Sequence, residues 1–213
     1  GIAFAGVLDE WFKLTRYDIK NLKGASGTSI GALYAAAVAV GLSPASILEI
    51  TQATNLMDLV TIDVTNLVSY WGFDTGHRLT EWIENHIGTI TFQELFDTTG
   101  RILKLAVTNL NSGKVEYLSH TTYPHIKIST GVTMSMCLPP VFSPMNMNGA
   151  LFVDGGLLDN YPIRQWPAEN VLGFRVSWSH CPKLDAFEKY FSRVTYCATA
   201  LGSREAFRNL EEG

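Results

Sequence analysis

Charge of either sign is scarce in this sequence. Only 17% of its 213 residues are Asp, Glu, Lys or Arg, and 16 basic against 20 acidic residues leave a formal charge of −4. No basic stretch is dense enough to form a nucleic-acid face, so nucleic acid is excluded as the expected partner. Cysteine is scarcer: Cys137, Cys181 and Cys197 are odd in number, widely spread and without a C-x-x-C pair. That pattern speaks against a zinc knuckle or a disulfide framework and reads as reduced structural thiols. Long apolar runs are missing too. The most apolar stretch, 30–42, falls short of the roughly 18 residues of a membrane span and ends in Gly-Leu-Ser-Pro. No signal peptide is seen in this stretch, which says little about the native protein; a cytoplasmic or peripheral-membrane location is the expectation. The chain opens at Gly1, without methionine and already inside a helical pattern, and therefore reads as a fragment or a processed chain.

What is present is a chain that is 46% hydrophobic and long enough for one domain, 1–213, with a substantial core. Phe4, Val7, Leu8, Trp11 and Phe12 recur at helical spacing. Residues 18–26 read as a strand, 27–31 as a tight turn and 32–40 as a helix stopped by Gly41. Ser43-Pro44 starts a second helix, to about 55. The stretch 58–76 gives no clear pattern. Residues 79–87 read as a helix, and Thr91 with Glu94 forms a capping box for another, through 96. "RILKLAVTNL" and "KVEYLS" form a hairpin about Asn111-Ser112-Gly113. A helix over 126–136, a strand in "ALFVDGG", a strand in "NVLGFRVSW" and a long helix over 186–210 complete the pattern. Strands alternating with helices predict an α/β fold: a central, mostly parallel sheet with helices on both faces.

Two short stretches carry chemistry. "GASGTSIGALYA" sets Ser29 between glycines at a strand–turn–helix junction. In that context a G-x-S-x-G serine is lifted clear of the sheet, while Gly27 and Gly31 relieve crowding on either side. The amides at the following helix N-terminus, Ile30 N–H first, point to where an oxyanion would form. The plainer reading is that Ser29 caps the helix. "GALFVDGGLLDNYPI" sets Asp154 at the end of an apolar strand, before Gly155 and Gly156. A carboxylate there is placed to face a site, yet Asp-Gly-Gly is equally good turn composition. The order Ser29, Asp154, His180 also suits an α/β-hydrolase triad, although only 28 residues precede the serine where that fold needs several strands.

Taken together, Gly27-Thr28-Ser29-Ile30-Gly31 and Asp154-Gly155-Gly156 resemble the patatin-like phospholipase family. The likeness extends to "GIAFAGVLDEW", the central hairpin, "SMCLPPVFSPM" and "VDGGLLDNYPI", and covers about residues 1–180. It implies a three-layer patatin-like architecture and a Ser29–Asp154 dyad. Ser29 would be the nucleophile and Asp154 the general base of a phospholipase A-type acyl hydrolase working through an acyl-enzyme. It implies no metal or cofactor, a lipid substrate and transient contact with a membrane or micelle. The family's glycine-rich oxyanion loop precedes its first helix. Here only Gly1 matches its last glycine, and each missing donor typically costs about 10²- to 10³-fold in rate. The sequence as it stands is thus expected to be a weak hydrolase, and a non-catalytic lipid-binding domain stays open beside the two enzymatic readings.

Four methionines lie between the hairpin and Asp154. Met134, Met136, Phe142 and Met145 are candidates for an acyl pocket, because methionine adapts to a flexible chain. Core packing is the competing role for each of them, and for Met147. Trp71, Phe73 and Trp82 are candidates for an interfacial patch, again against burial in the core.

Overall fold

A computed structural model describes residues 2–176 together with 193, 194 and 197. The apolar spacing at the start forms helix α1 (Ile2–Thr15). The strand expected over 18–26 forms only in its second half. Asp18 accepts a hydrogen bond from Lys20 N–H and turns 19–21 into a single 3-10 turn, so β1 is Gly24–Gly27. Short polar side chains divert backbone in this way by offering it a local partner. Helix α2 (Ile30–Val40) follows, ended by Gly41 at φ 95°. Helix α3 (Pro44–Ala53) begins at a Ser43 cap. The patternless stretch contains α4 (Val64–Tyr70), and the helix expected over 79–87 is α5 (His77–Ile87). Helix α6 (Phe92–Thr99) carries the expected capping box of Thr91 and Glu94. Strands β2 (Ile102–Asn109) and β3 (Lys114–Leu118) form the hairpin. Helix α7 (Ile128–Met136), a short β4 (Met145–Met147) and β5 (Ala150–Asp154) close the series. Residues 171–176, expected to begin another strand, are irregular, and the helix expected over 186–210 falls almost wholly outside the described residues.

The α/β architecture follows the expectation, with one difference in the sheet. The strand order is β1-β2-β5-β4, with β3 also on β2. The parallel character lies in the β1–β2 pair, whose strands are joined by a long helical crossover. The other three described ladders, β2–β3, β2–β5 and β4–β5, are antiparallel. Tight turns at Gly113 (φ 66°) and at Asn148-Gly149 (φ 53° and 82°) reverse the chain too sharply for anything else.

On one face of the sheet, Leu103, Leu105, Val107 and Phe152 pack against α2, α5, α6 and α7 in one continuous core. Helix α2 is buried over Ala32–Ala39, which is why it is apolar on every side. The small alanines let the helix approach the sheet closely, and the larger Ile83, Phe92, Leu95 and Val132 fill the space around it. Each fully buried large side chain contributes about 1.5–3 kcal/mol. On the other face, the described cover is the chain after β5. Ser26 Oγ donates to Pro162 O, Trp166 Nε1 donates to Ser26 Oγ, and Lys104 Nζ donates to Gln165 O.

Arg101 ties the helical layer together. Its buried guanidinium donates to Ala39 O near the end of α2 and to Ile19 O, each at 3.0 Å. A cation at a helix C-terminus satisfies carbonyls that the helix cannot. Arg101→Met would leave Ala39 O unpaired and Ile19 O with Leu22 N–H alone, and is expected to cost about 2–4 kcal/mol. Urea denaturation of the two proteins, compared at equal m-value, checks this.

Candidate active site

The sheet register brings residues 125 positions apart to one level. Gly27 of β1 lies beside Leu105 of β2, so two positions further on Ser29 comes level with Val107. Val107 in turn pairs with Asp154 of β5. β1 and β5 share one edge of β2, with β3 on the other; they run in opposite directions and meet end to end near this level.

Ser29 occupies the cap position of α2 without capping it. Its side chain makes no cap hydrogen bond, and its backbone is at φ 54°, ψ −129°, not in the extended region a capping residue adopts. A non-glycine residue held there stores about 1–3 kcal/mol of strain. The strain is held by close packing. A Cβ on Gly27 would stand 2.2 Å from Gly31 O, so the turn closes only over glycine at that position. Gly31 differs from its expected role: a Cβ there would meet open space. Ser29 N–H donates to Ser135 Oγ (3.0 Å), and Ser135 donates onward to Ala106 O (2.7 Å). Gly31 N–H and Ala32 N–H bond Thr28 O and Ser29 O. Ile30 N–H makes no hydrogen bond among the described residues, and Ile30 lines the cavity at this turn.

Asp154 is 2% exposed. Burial pushes its carboxyl up to about 6, opposed by hydrogen bonds from the Ser29 hydroxyl and from Gly156 N–H. Its backbone is fixed at both ends: Asp154 N–H donates to Cys137 O, and Thr108 Oγ1 donates to Asp154 O. Gly155 has no room for a side chain, because a Cβ would stand 2.2 Å from Ala106 O. Gly156 N–H reaches Asp154 Oδ1 at 2.7 Å.

The two side chains line a cavity of about 1300 Å³. Phe4, Leu8 and Trp11 of α1 form one wall, and Ile163, Trp166 and Phe174 form part of another. Apolar groups predominate in the lining, with Lys23, Asn160, Glu169 and Arg175 among its polar and charged members. A hydroxyl against a buried carboxylate, a helix amide left unbonded and a chamber with mainly apolar walls together suit acyl transfer from an ester with an apolar chain.

A family model described as patatin-like phospholipase matches residues 1–166. The chain belongs to the patatin-like phospholipase family. An uncharacterized protein, R571, of Acanthamoeba polyphaga mimivirus is 32% identical over 175 residues, 76% of this chain and 56% of the relative. A probable lipid hydrolase, 463L, of Invertebrate iridescent virus 6 is 28% identical over 152 residues, 64% of this chain and 50% of the relative. This patatin-like chain therefore spans about half the length of these relatives. The crystal structure of VipD from Legionella pneumophila shares the fold at a TM-score of 0.58, with 19% identity, over 80% of this chain and 46% of VipD. Membership supports lipid hydrolysis as the general class of activity.

The patatin-like site differs from the sequence expectation in its apolar walls. None of Met134, Met136, Phe142 or Met145 lines the cavity at Ser29. Met134 and Phe142 are in the core, and Met136, Met145 and Met147 pack against it. The reason is geometric: these side chains pack into the core among α2, α5 and α6, whereas the cavity lies between α1 and residues 160–176. Sequence reasoning also missed Ser135, Leu138 and Asn160. For Ser135 no local signal exists, since only the fold brings it to Ser29. Gly1 and His180 lie outside the described residues. No helix among the described residues is long and apolar enough to cross a membrane.

Two predictions follow the packing and the charge. Gly27→Ala is expected to destabilise the domain by about 3 kcal/mol, because backbone must move. Gly31→Ala should be neutral or up to about 1 kcal/mol stabilising, as usual for a helical glycine. Thermal denaturation of both variants checks the contrast. The Asp154 carboxyl, raised from 3.8 to about 6, favours the folded state fully below pH 3.8 and loses that contribution as pH rises through 6. The displacement amounts to about 3 kcal/mol. Asp154→Asn should therefore gain stability relative to wild type between pH 4 and pH 7, and hold that margin above. Equal pH dependence of the two melting curves would contradict the burial of this charge.

Proposed function

We propose that this chain hydrolyses fatty-acyl esters of lipids, in the manner of a phospholipase A, with Ser29 as nucleophile and Asp154 as general base. The observation that carries the reading is the pairing of an uncapping, strained serine with a buried carboxylate inside one mainly apolar cavity.

In the first step Ser29 Oγ attacks the ester carbonyl carbon while its proton passes to Asp154. The tetrahedral oxyanion lies near the α2 N-terminus, where Ile30 N–H is the free donor. Collapse expels the alcohol portion of the lipid, which takes the proton from Asp154, and leaves the acyl group on Ser29. Water then attacks the acyl-enzyme, giving its proton to Asp154, and the released serine oxygen recovers it. A carboxylate is ordinarily too weak a base for this, and burial raises its basicity toward the working range. Ser135 is a positioning residue, since it holds Ser29 N–H and thereby the strained turn.

Fatty-acid release from mixed phospholipid vesicles tests the assignment. Ser29→Ala and Asp154→Asn are each expected to lose at least about 10³-fold in kcat/KM, and His180→Ala to keep the wild-type rate. Wild-type kcat/KM should rise with pH through an apparent pKa near 6 as Asp154 ionises. Loss in Ser29→Ala and His180→Ala with Asp154→Asn active would replace the dyad by a histidine-dependent site.

A further inference from the structure

Helix α4 is out of keeping with the rest of the fold, because it buries none of its residues. Large apolar side chains stand in solvent along and around it. Met57 and Ile62 are each 64% exposed, Val64 68%, Val68 84%, Tyr70 57% and Trp71 62%. Such a concentration within 15 residues is not the scattered surface apolarity of an ordinary soluble domain. A helix of seven residues has little stability of its own. This one is held by Asp63, which caps it through Thr65, and by its connection at Phe73.

Charge restricts what the patch fits. No lysine or arginine occurs from residue 24 to residue 77. The acids near the patch are Asp58, Asp63 and Asp74. Asp74 is buried and bonded to Thr61 N–H and Gly76 N–H, and Asp63 is engaged by Thr65. The one basic side chain at its rim, Arg78, bonds Thr61 Oγ1 and is outnumbered by Asp58 and Asp63, so the surface carries no net attraction for anionic headgroups. Tyr70 and Trp71 together present the amphipathic rings that settle at a bilayer interface. Trp71 is at φ 60°, so the chain holds a bulky ring outward at the cost of backbone strain.

The patch is also joined to the site. Phe73 N–H donates to Pro140 O, Asp74 N–H to Val141 O and Ser143 N–H to Asp74 O. At its other end the same segment receives Asp154 N–H on Cys137 O, and its Leu138 lines the cavity. A surface resting on lipid is thereby tied through backbone hydrogen bonds to the carboxylate that acts on lipid.

We infer that α4 with its flanking residues is a docking surface for a zwitterionic lipid bilayer, entered by apolar insertion and not by charge. The inference names the surface through which the proposed hydrolase meets its substrate and rests on that reading. The test uses the full chain and vesicles of phosphatidylcholine, scored by co-sedimentation, alongside hydrolysis of a soluble monomeric p-nitrophenyl ester. Val68→Glu and Trp71→Asn replace exposed side chains outside the catalytic site, so the fold and the monomeric-ester rate should stay as in wild type. Together they should weaken vesicle binding at least tenfold. Binding should be insensitive to salt, and adding anionic lipid should not strengthen it. Equal vesicle binding by wild type and the double variant overturns the inference. So does wild-type self-association that the substitutions abolish while vesicle binding is unchanged, since a second copy would then cover the patch. Patch-dependent binding with no ester hydrolysis by wild type would sustain the docking surface and overturn the catalytic reading alone.

Discussion

Removing the Asp154 carboxylate from water is the constraint on which the arrangement around it depends. A buried carboxylate with two hydrogen-bond donors is under-solvated, and its charge is tolerated only because few rearrangements could relieve it. Gly155 lies flat against Ala106, so the chain cannot swing outward there. Thr108 and Cys137 hold the aspartate's own peptide groups, so the strand end cannot fray. The same features that make the charge unfavourable make it basic, and a weakly basic residue type acquires the proton affinity that acyl transfer needs.

The serine contributes a second stored cost, its left-handed backbone, and the two costs sit side by side. Both are carried by the densest part of the molecule. Helix α2 leaves the strained turn as an almost fully buried rod, and α7 supplies Ser135 from beneath. Replacing Ser29 by glycine or Asp154 by asparagine should therefore relax the protein even as it silences it. A site built from local destabilisation within an over-determined core is the usual compromise between activity and stability.

Much of this was legible in the sequence, for identifiable reasons. Ser29 and Asp154 could be found because glycines beside them report backbone crowding, and crowding of that kind has few uses. The capping box at Thr91 and the hairpin at Gly113 were legible because their chemistry is local. The acyl pocket was not. Methionines near Asp154 in sequence pack into or against the main core, and nothing in a linear pattern says where a cavity opens. Ser135 was invisible because its partner is 106 residues away. The stretch containing α4 gave no pattern because an apolar residue there answers to no core. Its periodicity is not set by packing within this chain.

The antiparallel pairing of β5 on β2 has a consequence for folding fidelity. Side chains alternate along a strand, so a slip of one residue would send the Asp154 carboxyl through the sheet to the opposite face. The slipped protein would keep its helices, its hairpin and most of its core, and would look native by any measure of secondary structure. It would nevertheless carry a lone serine with no base. The glycine after Asp154 guards against a slip in one direction, because its bare backbone meets Ala106 O and that slip would drive the Asp154 side chain into the contact. Steric exclusion at one glycine thus closes off one route from a working copy to a well-folded but inert one.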